Sequence, residues 1–363
     1  MKSSMPNLQI LRFFAAAIVL VSHVQHEALK GKFAVGDYAP WDFMFFAGGV
    51  DIFFVISGFI IYAVGSGNFG RPGAAQKFLM RRLVRVAPPY WIFTTAMIVA
   101  ALVFQSHVTH SALGWDHILA SYFFVPYNNA YGLAYPVLML GYTLNFEVFF
   151  YAIFALAMVF PKKTGILCLL AIMGAFGLAG LLQLPLPMPF AFWASPLVLE
   201  FLMGMGLAML RENKLRLPAP AAWGLVALGL GLMLLFKALG MVGHDWHLRI
   251  FWMGVPAMCI CAGTVLALDD DRPLTPLKNL LVLLGDASYA IYLSHPFSLN
   301  AVAVVWKHIG PINAWVYVCT ACVVSVLVGV AAHLWMEKPM TRYLNRQVER
   351  RWGSRWGSAA QPA

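Results

Sequence analysis

The chain has 363 residues, of which 61% are apolar and 11% charged, and its formal net charge is +10. Soluble domains carry about 25% charged residues, so this composition, with a mean hydropathy of +0.74, excludes a water-soluble globule. Repeated apolar runs of about twenty residues place the sequence among all-α polytopic membrane proteins and exclude a β-barrel, whose strands are short and alternate apolar with polar residues.

In chain order the apolar runs predict ten spans, at 8–26, 43–64, 88–105, 143–160, 165–184, 190–210, 221–240, 250–268, 280–305 and 313–336. A further apolar piece, Ile118 to Tyr127, is too short to cross and is expected to be interfacial or re-entrant. No cleavable signal peptide, soluble domain, internal repeat or low-complexity linker is evident. Residues 1–340 therefore read as one membrane domain, followed by a basic polar tail at 341–363. With the N-terminus in the cytoplasm, nineteen Lys and Arg fall on the cytoplasmic side, among them Lys77, Arg211 and Arg342. Five (Lys30, Lys32, Lys237, Arg249 and Lys307) fall on the other. That bias predicts both termini cytoplasmic. It also explains the positive charge without nucleic acid as a partner.

Several spans carry groups that hydrocarbon penalises. In LQILRFFAAAIVLVSHVQH, Arg12 and His23 are eleven residues apart, about three turns plus 20°, so both lie on one face about 16 Å apart along the axis. Alone, Arg12 can snorkel to headgroups and His23 can sit at an interface. Together they favour a shared, wet, protein-lined cavity. The second span holds Asp51, for which Arg12 or a loop arginine is an available partner, and is interrupted by Ser57-Gly58. Its glycines permit close helix packing. KFLMRRLVRVAPPYW follows, with Arg81 and Arg85 on one face, Arg82 beside them, and Pro88-Pro89 predicted to break the helix. Three guanidiniums suit phosphates and pyrophosphates, or serve only as a positive-inside anchor. Glu147 lies inside the fourth span, four residues before Tyr151, and Glu200 inside the sixth. In the ninth, GDASYAIYLSHPF places Ser288, Tyr292 and His295 on one face, with Pro296 expected to kink the chain.

Other features carry less. The five cysteines lie in apolar segments with no accompanying His or Cys cluster, which fits small packing residues rather than metal or redox sites. The loop histidines His107, His110, His117, His244 and His247 have no ligand spacing, so no metal is expected. MEKPM at 336–340 adds little by itself.

The polar constellation resembles the acyltransferase-3 family of bacterial integral-membrane acyltransferases, over nearly the whole chain. Arg12 and His23 meet its first-helix pattern of Arg and His separated by ten residues. Phe53 to Phe59, with Ser57 and Gly58, meet FFxxSGF. Arg81, Arg82, Arg85, Pro88 and Tyr90 meet RRxxRxxPxY. Tyr142 to Tyr151 meet an aromatic-Thr-Leu-xx-Glu-xx-Phe-Tyr element, with Tyr142 where members commonly carry Trp. Ser288, Tyr289, Tyr292, Leu293 and His295 meet SYxxYLxH. Five patterns in this order are specific. The chain is expected to be of the stand-alone type, similar to the enzymes that acetylate exopolysaccharide precursors, in the bacterial inner membrane.

The resemblance implies transfer of an acyl group, usually acetyl from acetyl-CoA as donor substrate, to a hydroxyl of a glycan, a lipid-linked saccharide or another acceptor, with no tightly bound cofactor. On this reading Arg81, Arg82 and Arg85 dock the phosphates of CoA, and Arg12 supports the same phosphates or holds Asp51. His23 is the base that removes the hydroxyl proton, a role worth about 10²–10⁴-fold. Glu147 is expected to orient its imidazole. Ser288, Tyr292 and His295 are expected to donate hydrogen bonds to the oxyanion or the acceptor. Asp51, Ser57, Gly58, Pro88, Tyr90 and Tyr151 are supporting residues. Donor access by threading the thioester and a covalent acyl relay both remain open. Two other classes compete: a proton-coupled exporter, for which intramembrane His, Asp, Glu and Arg are also expected, and a non-catalytic subunit of a polysaccharide secretion complex.

Overall fold

The computed structural model describes residues 5–30, 40, 48–103, 114–241, 246–268, 273–309 and 313–353. Lys2, Lys32, His107, His110, His244, Arg272 and Arg355, and the expected span ends at 43–47 and 104–105, lie outside them. Most of the described residues are helical, and they form no strand. The helices are α1 Pro6–Lys30, α2 Gly48–Gly65, α3 Ala74–Val103, α4 Trp115–Tyr122, α5 Tyr142–Ala157, α6 Lys162–Leu181, α7 Phe190–Trp193 and α8 Val198–Glu212. There follow α9 Ala219–Ala238, α10 Val255–Val265, α11 Pro276–Asp286, α12 Ser288–Ile309, α13 Ala314–Ala332 and α14 Lys338–Gly353.

Among the described residues seven helical stretches are long and apolar enough to cross a membrane: Pro6–Leu29, Gly48–Asn68, Ala74–Val103, Met139–Ala157, Lys162–Leu181, Ala219–Ala238 and Ala314–Trp352. The protein is an integral membrane protein of the all-α class. The other three expected spans are helical but shorter or more polar. The sixth divides into α7 and α8 around Pro196. The eighth opens as a π-helical turn, Ile250–Gly254, before α10. The ninth divides at Ala287, whose N–H caps α11 on the Gly285 and Leu283 carbonyls. Outward apolar side chains such as Trp335, 82% exposed, would be costly in water and are ordinary in lipid.

Two predicted breaks are absent. α3 runs unbroken through Pro88 and Pro89. Each proline removes one i→i−4 bond, but membrane helices tolerate that loss when neighbours re-satisfy the freed carbonyls. The three arginines and the span that follows them are therefore one helix. Likewise α2 continues through Ser57-Gly58. Gly58 is needed for packing, because a Cβ there would overlap the Phe201 carbonyl.

The helices group into two compact units, Met1–Ile56 with Gly206–Lys338, and Ser57–Met205 with Pro339–Ala363. In the first, α1 packs against α10, α11, α12 and α13. Leu20, Val24 and Ala28 of α1 join Ile291, Leu299, Trp306, Tyr317 and Val318 in a buried core. Glycines set the close approaches. A Cβ on Gly49 would lie 2.5 Å from the Ala15 carbonyl, and one on Gly285 would overlap the Gln9 carbonyl. In the second unit α5 packs against α3 and α6. Its core is aromatic, with Phe150 stacked on Phe201 at 4.6 Å between centroids and Phe78 on Phe154 at 5.0 Å.

Candidate active site

The first unit gathers Arg12, His23, Asp51, Ser288, Tyr292 and His295. On α1, Arg12 is 7% exposed and its Nη1 donates to Gln9 Oε1 at 2.8 Å. About three turns along the same helix, His23 Nδ1 lies 2.7 Å from Nε2 of His295, which is 1% exposed. The two rings are 4.9 Å apart between centroids and tilted by 43°. Tyr292 flanks His295 with its ring 6.0 Å away and meets Phe53 at 6.5 Å. Ser288 opens α12, fully buried, with a hydroxyl that closes no hydrogen bond among the described residues.

Asp51 is fully buried, and its partner is Arg249. Arg249 Nε donates to Oδ1 at 3.0 Å and Nη2 to Oδ2 at 2.5 Å. This forked geometry is the strong form of the carboxylate–guanidinium pair. Of the two partners open from the sequence, a loop arginine rather than Arg12 holds Asp51. That arginine counts among the five charges on the less basic side, which concealed it. The clue was its place directly before the eighth span.

The second unit gathers Ser57, Gly58, Arg81, Arg82, Arg85, Pro88, Tyr90, Glu147 and Tyr151. Glu147 Oε1 accepts from Ser57 Oγ at 3.0 Å and from the buried Tyr151 hydroxyl. Arg82 lies over the Phe78 ring at 5.8 Å. Its Nε is buried and closes no hydrogen bond among the described residues. Tyr90 is fully buried against Gly141, where a Cβ would lie 2.6 Å from its ring. The sequence points to Glu147 as the acid that orients His23. In the structure the bonds of Glu147 run to Ser57 and Tyr151, and the bond of His23 Nδ1 runs to His295.

Two pairs had no place in the sequence reading. Glu349 of α14 takes Lys77 at 3.1 Å and also pairs with Arg81. Within the π-helical turn His333–Glu337, His333 Nδ1 meets Glu337 Oε2 at 2.8 Å, both side chains buried. The i,i+4 spacing of the second pair was visible in MEKPM and its upstream turn. Glu349 stands alone in a basic tail, and only folding shows what it meets.

A family profile described as an acyltransferase domain, that of the acyltransferase-3 family, matches residues 5–334. The chain belongs to this family. The acyltransferase is 33% identical over 297 residues to "Exopolysaccharide production protein ExoZ" of Rhizobium meliloti (strain 1021), covering 82% of the chain and 90% of that protein. It is 31% identical over 159 residues to "Nodulation protein 10" of Rhizobium leguminosarum bv. viciae, covering 40% of the chain and 42% of the relative. No solved structure matches it. Family membership makes the protein an enzyme of acyl transfer and sets aside the exporter and the non-catalytic subunit.

Proposed function

We propose that the acyltransferase moves an acetyl or other acyl group from acyl-CoA to a hydroxyl of an exopolysaccharide or its lipid-linked precursor. It would do so in the bacterial inner membrane, among membrane lipids, with both termini cytoplasmic. The glycan acceptor rests on the printed name of the ExoZ relative. The orientation rests on the lopsided Lys and Arg distribution. Arg81, Arg82 and Arg85 are the cations for the donor's phosphates, supported by the buried Arg82 Nε, which closes no hydrogen bond among the described residues.

The observation that carries the reading is the His23–His295 pair inside an acyltransferase: a base-forming side chain held at a fixed distance within an apolar bundle. His23 Nε2 takes the acceptor's O–H proton as the oxygen bonds to the thioester carbonyl carbon. The tetrahedral intermediate then expels the CoA sulfur, which takes the proton from His23. One C–S bond breaks, one C–O bond forms, and the imidazole ends as it began. In this reading Ser288 and Tyr292 donate hydrogen bonds to the oxyanion or acceptor.

His23→Ala tests this in cells that keep normal amounts of the protein. Acylation of the surface glycan, read by mass spectrometry, falls by at least about 10². Acylation at the wild-type level with His23→Ala overturns the assignment of the base.

A further inference from the structure

The pair His23–His295 contains more than a contact, because a hydrogen bond between two neutral imidazoles fixes both protons at once. One ring must donate and the other accept. If His295 Nε2 carries the proton, His23 Nδ1 is the acceptor and His23 Nε2 holds the other proton, which leaves His23 no lone pair for an acceptor hydroxyl. If His295 carries its proton on Nδ1, its Nε2 accepts from His23 Nδ1–H, and His23 Nε2 is a free base.

The surroundings of His295 choose between these. Its Nδ1 is buried and closes no full hydrogen bond among the described residues. The backbone groups that act on the ring are the Ile291 and Tyr292 carbonyls, one turn back on α12. Both are acceptors, and neither offers a proton to a bare Nδ1. The Tyr292 carbonyl is moreover the one that would receive a helical N–H from residue 296. That residue is Pro296, which has none. A half-released carbonyl beside the ring favours N–H over lone pair at Nδ1.

We infer that His295 is the positioning residue that fixes the tautomer of His23: protonated at Nδ1, it receives His23 Nδ1–H at its Nε2 and leaves His23 Nε2 as the base. It fills the place a carboxylate fills in other histidine sites, with no net charge in the membrane. Its own proton stays in place throughout the reaction. This rests on the proposed role of His23 and changes that of His295, whose Nε2 is engaged by His23 and is not a donor to the oxyanion.

The test uses full-length protein in membranes supplied with [14C]acetyl-CoA, with incorporation into the cell's own glycan fraction as readout. His295→Ala lowers the rate at saturating acetyl-CoA by about 10- to 100-fold and leaves the half-saturating acetyl-CoA concentration unchanged. His295→Gln, whose amide oxygen reaches the place of Nε2, restores much of the rate. His295→Asn, whose amide reaches only the place of Nδ1, does not. In the wild-type protein, 15N-histidine spectra assigned by difference with His23→Gln show His23 protonated at Nδ1 and bare at Nε2. A resting His23 protonated at Nε2, or equal activity of the Gln and Asn variants, overturns the inference. Should His295→Ala fail to accumulate, the wild-type spectrum and the Gln–Asn contrast decide alone. If His23→Gln is inactive while His295→Ala is fully active, the base stands and only this inference falls. If His23→Gln keeps its activity, the base itself is refuted.

Discussion

A bare carboxylate at position 51 would be untenable where the side chain has no exposed surface, and the Arg249 fork is what makes it tolerable. Removing one member of a buried pair strands the other, at a cost of about 3–5 kcal/mol. Asp51→Asn and Arg249→Met are therefore each expected to lower the unfolding midpoint in detergent strongly. The double variant Asp51→Leu with Arg249→Met regains most of the loss, because no stranded charge remains. Equal losses in the single and double variants would show that the pair is not the source. The pair at the start of α3 belongs to another regime. Arg81 and Glu349 are 45% and 42% exposed, and exposed pairs contribute only about 0.2–1 kcal/mol. On the proposed donor site, a phosphate meeting Arg81 competes with Glu349. Glu349→Gln should lower the half-saturating acetyl-CoA concentration by up to about fivefold, whereas Arg81→Ala and Arg85→Ala raise it. Unchanged donor dependence in all three would return these arginines to a membrane-anchoring role. That Asp51 and Glu147 needed partners was legible from the sequence, since hydrocarbon forbids them otherwise. Which partners they take was not, because Arg249 and Ser57 lie 198 and 90 residues away.

Helix existence was legible almost everywhere, since length and apolar content suffice for it. Helix continuity was not. Pro88-Pro89 and Ser57-Gly58 read as breaks and are interior, while Ala287, with no breaker's chemistry, ends one helix and starts the next. Close neighbouring backbone accompanies both outcomes: at Gly285 the Gln9 carbonyl meets α11 one residue before its end, and at Gly58 the Phe201 carbonyl comes as close while α2 runs on. Gly285→Ala and Gly58→Ala are each expected to cost about 1–3 kcal/mol and to reduce the yield of folded protein. Gly174→Ala and Gly224→Ala, where a Cβ meets nothing within 4 Å, should be neutral or mildly stabilising through their higher helix propensity. The same loss in all four would mean that helix propensity, not close packing, dominates. The eight-residue α4 keeps to its sequence expectation of an element too short to span.

At the scale of the whole chain, membrane class and family were legible from composition and five ordered motifs. The division into two compact units was not, because apolar runs carry no sign of which run each will touch. The first unit is discontinuous: α1 finds its neighbours α11, α12 and α13 only near the far end of the sequence. This has a consequence for biogenesis. When α1 enters the bilayer its His23 has no companion, for His295 is 272 residues downstream. At ribosomal speeds of about 5–20 residues per second, roughly 15 to 50 seconds pass before that companion is made. Throughout that interval the nascent first helix holds an ionisable ring at the lipid boundary, and Leu20, Val24 and Ala28 wait for the downstream residues of their core. The His23–His295 pair is thus among the last contacts of the first unit that can form.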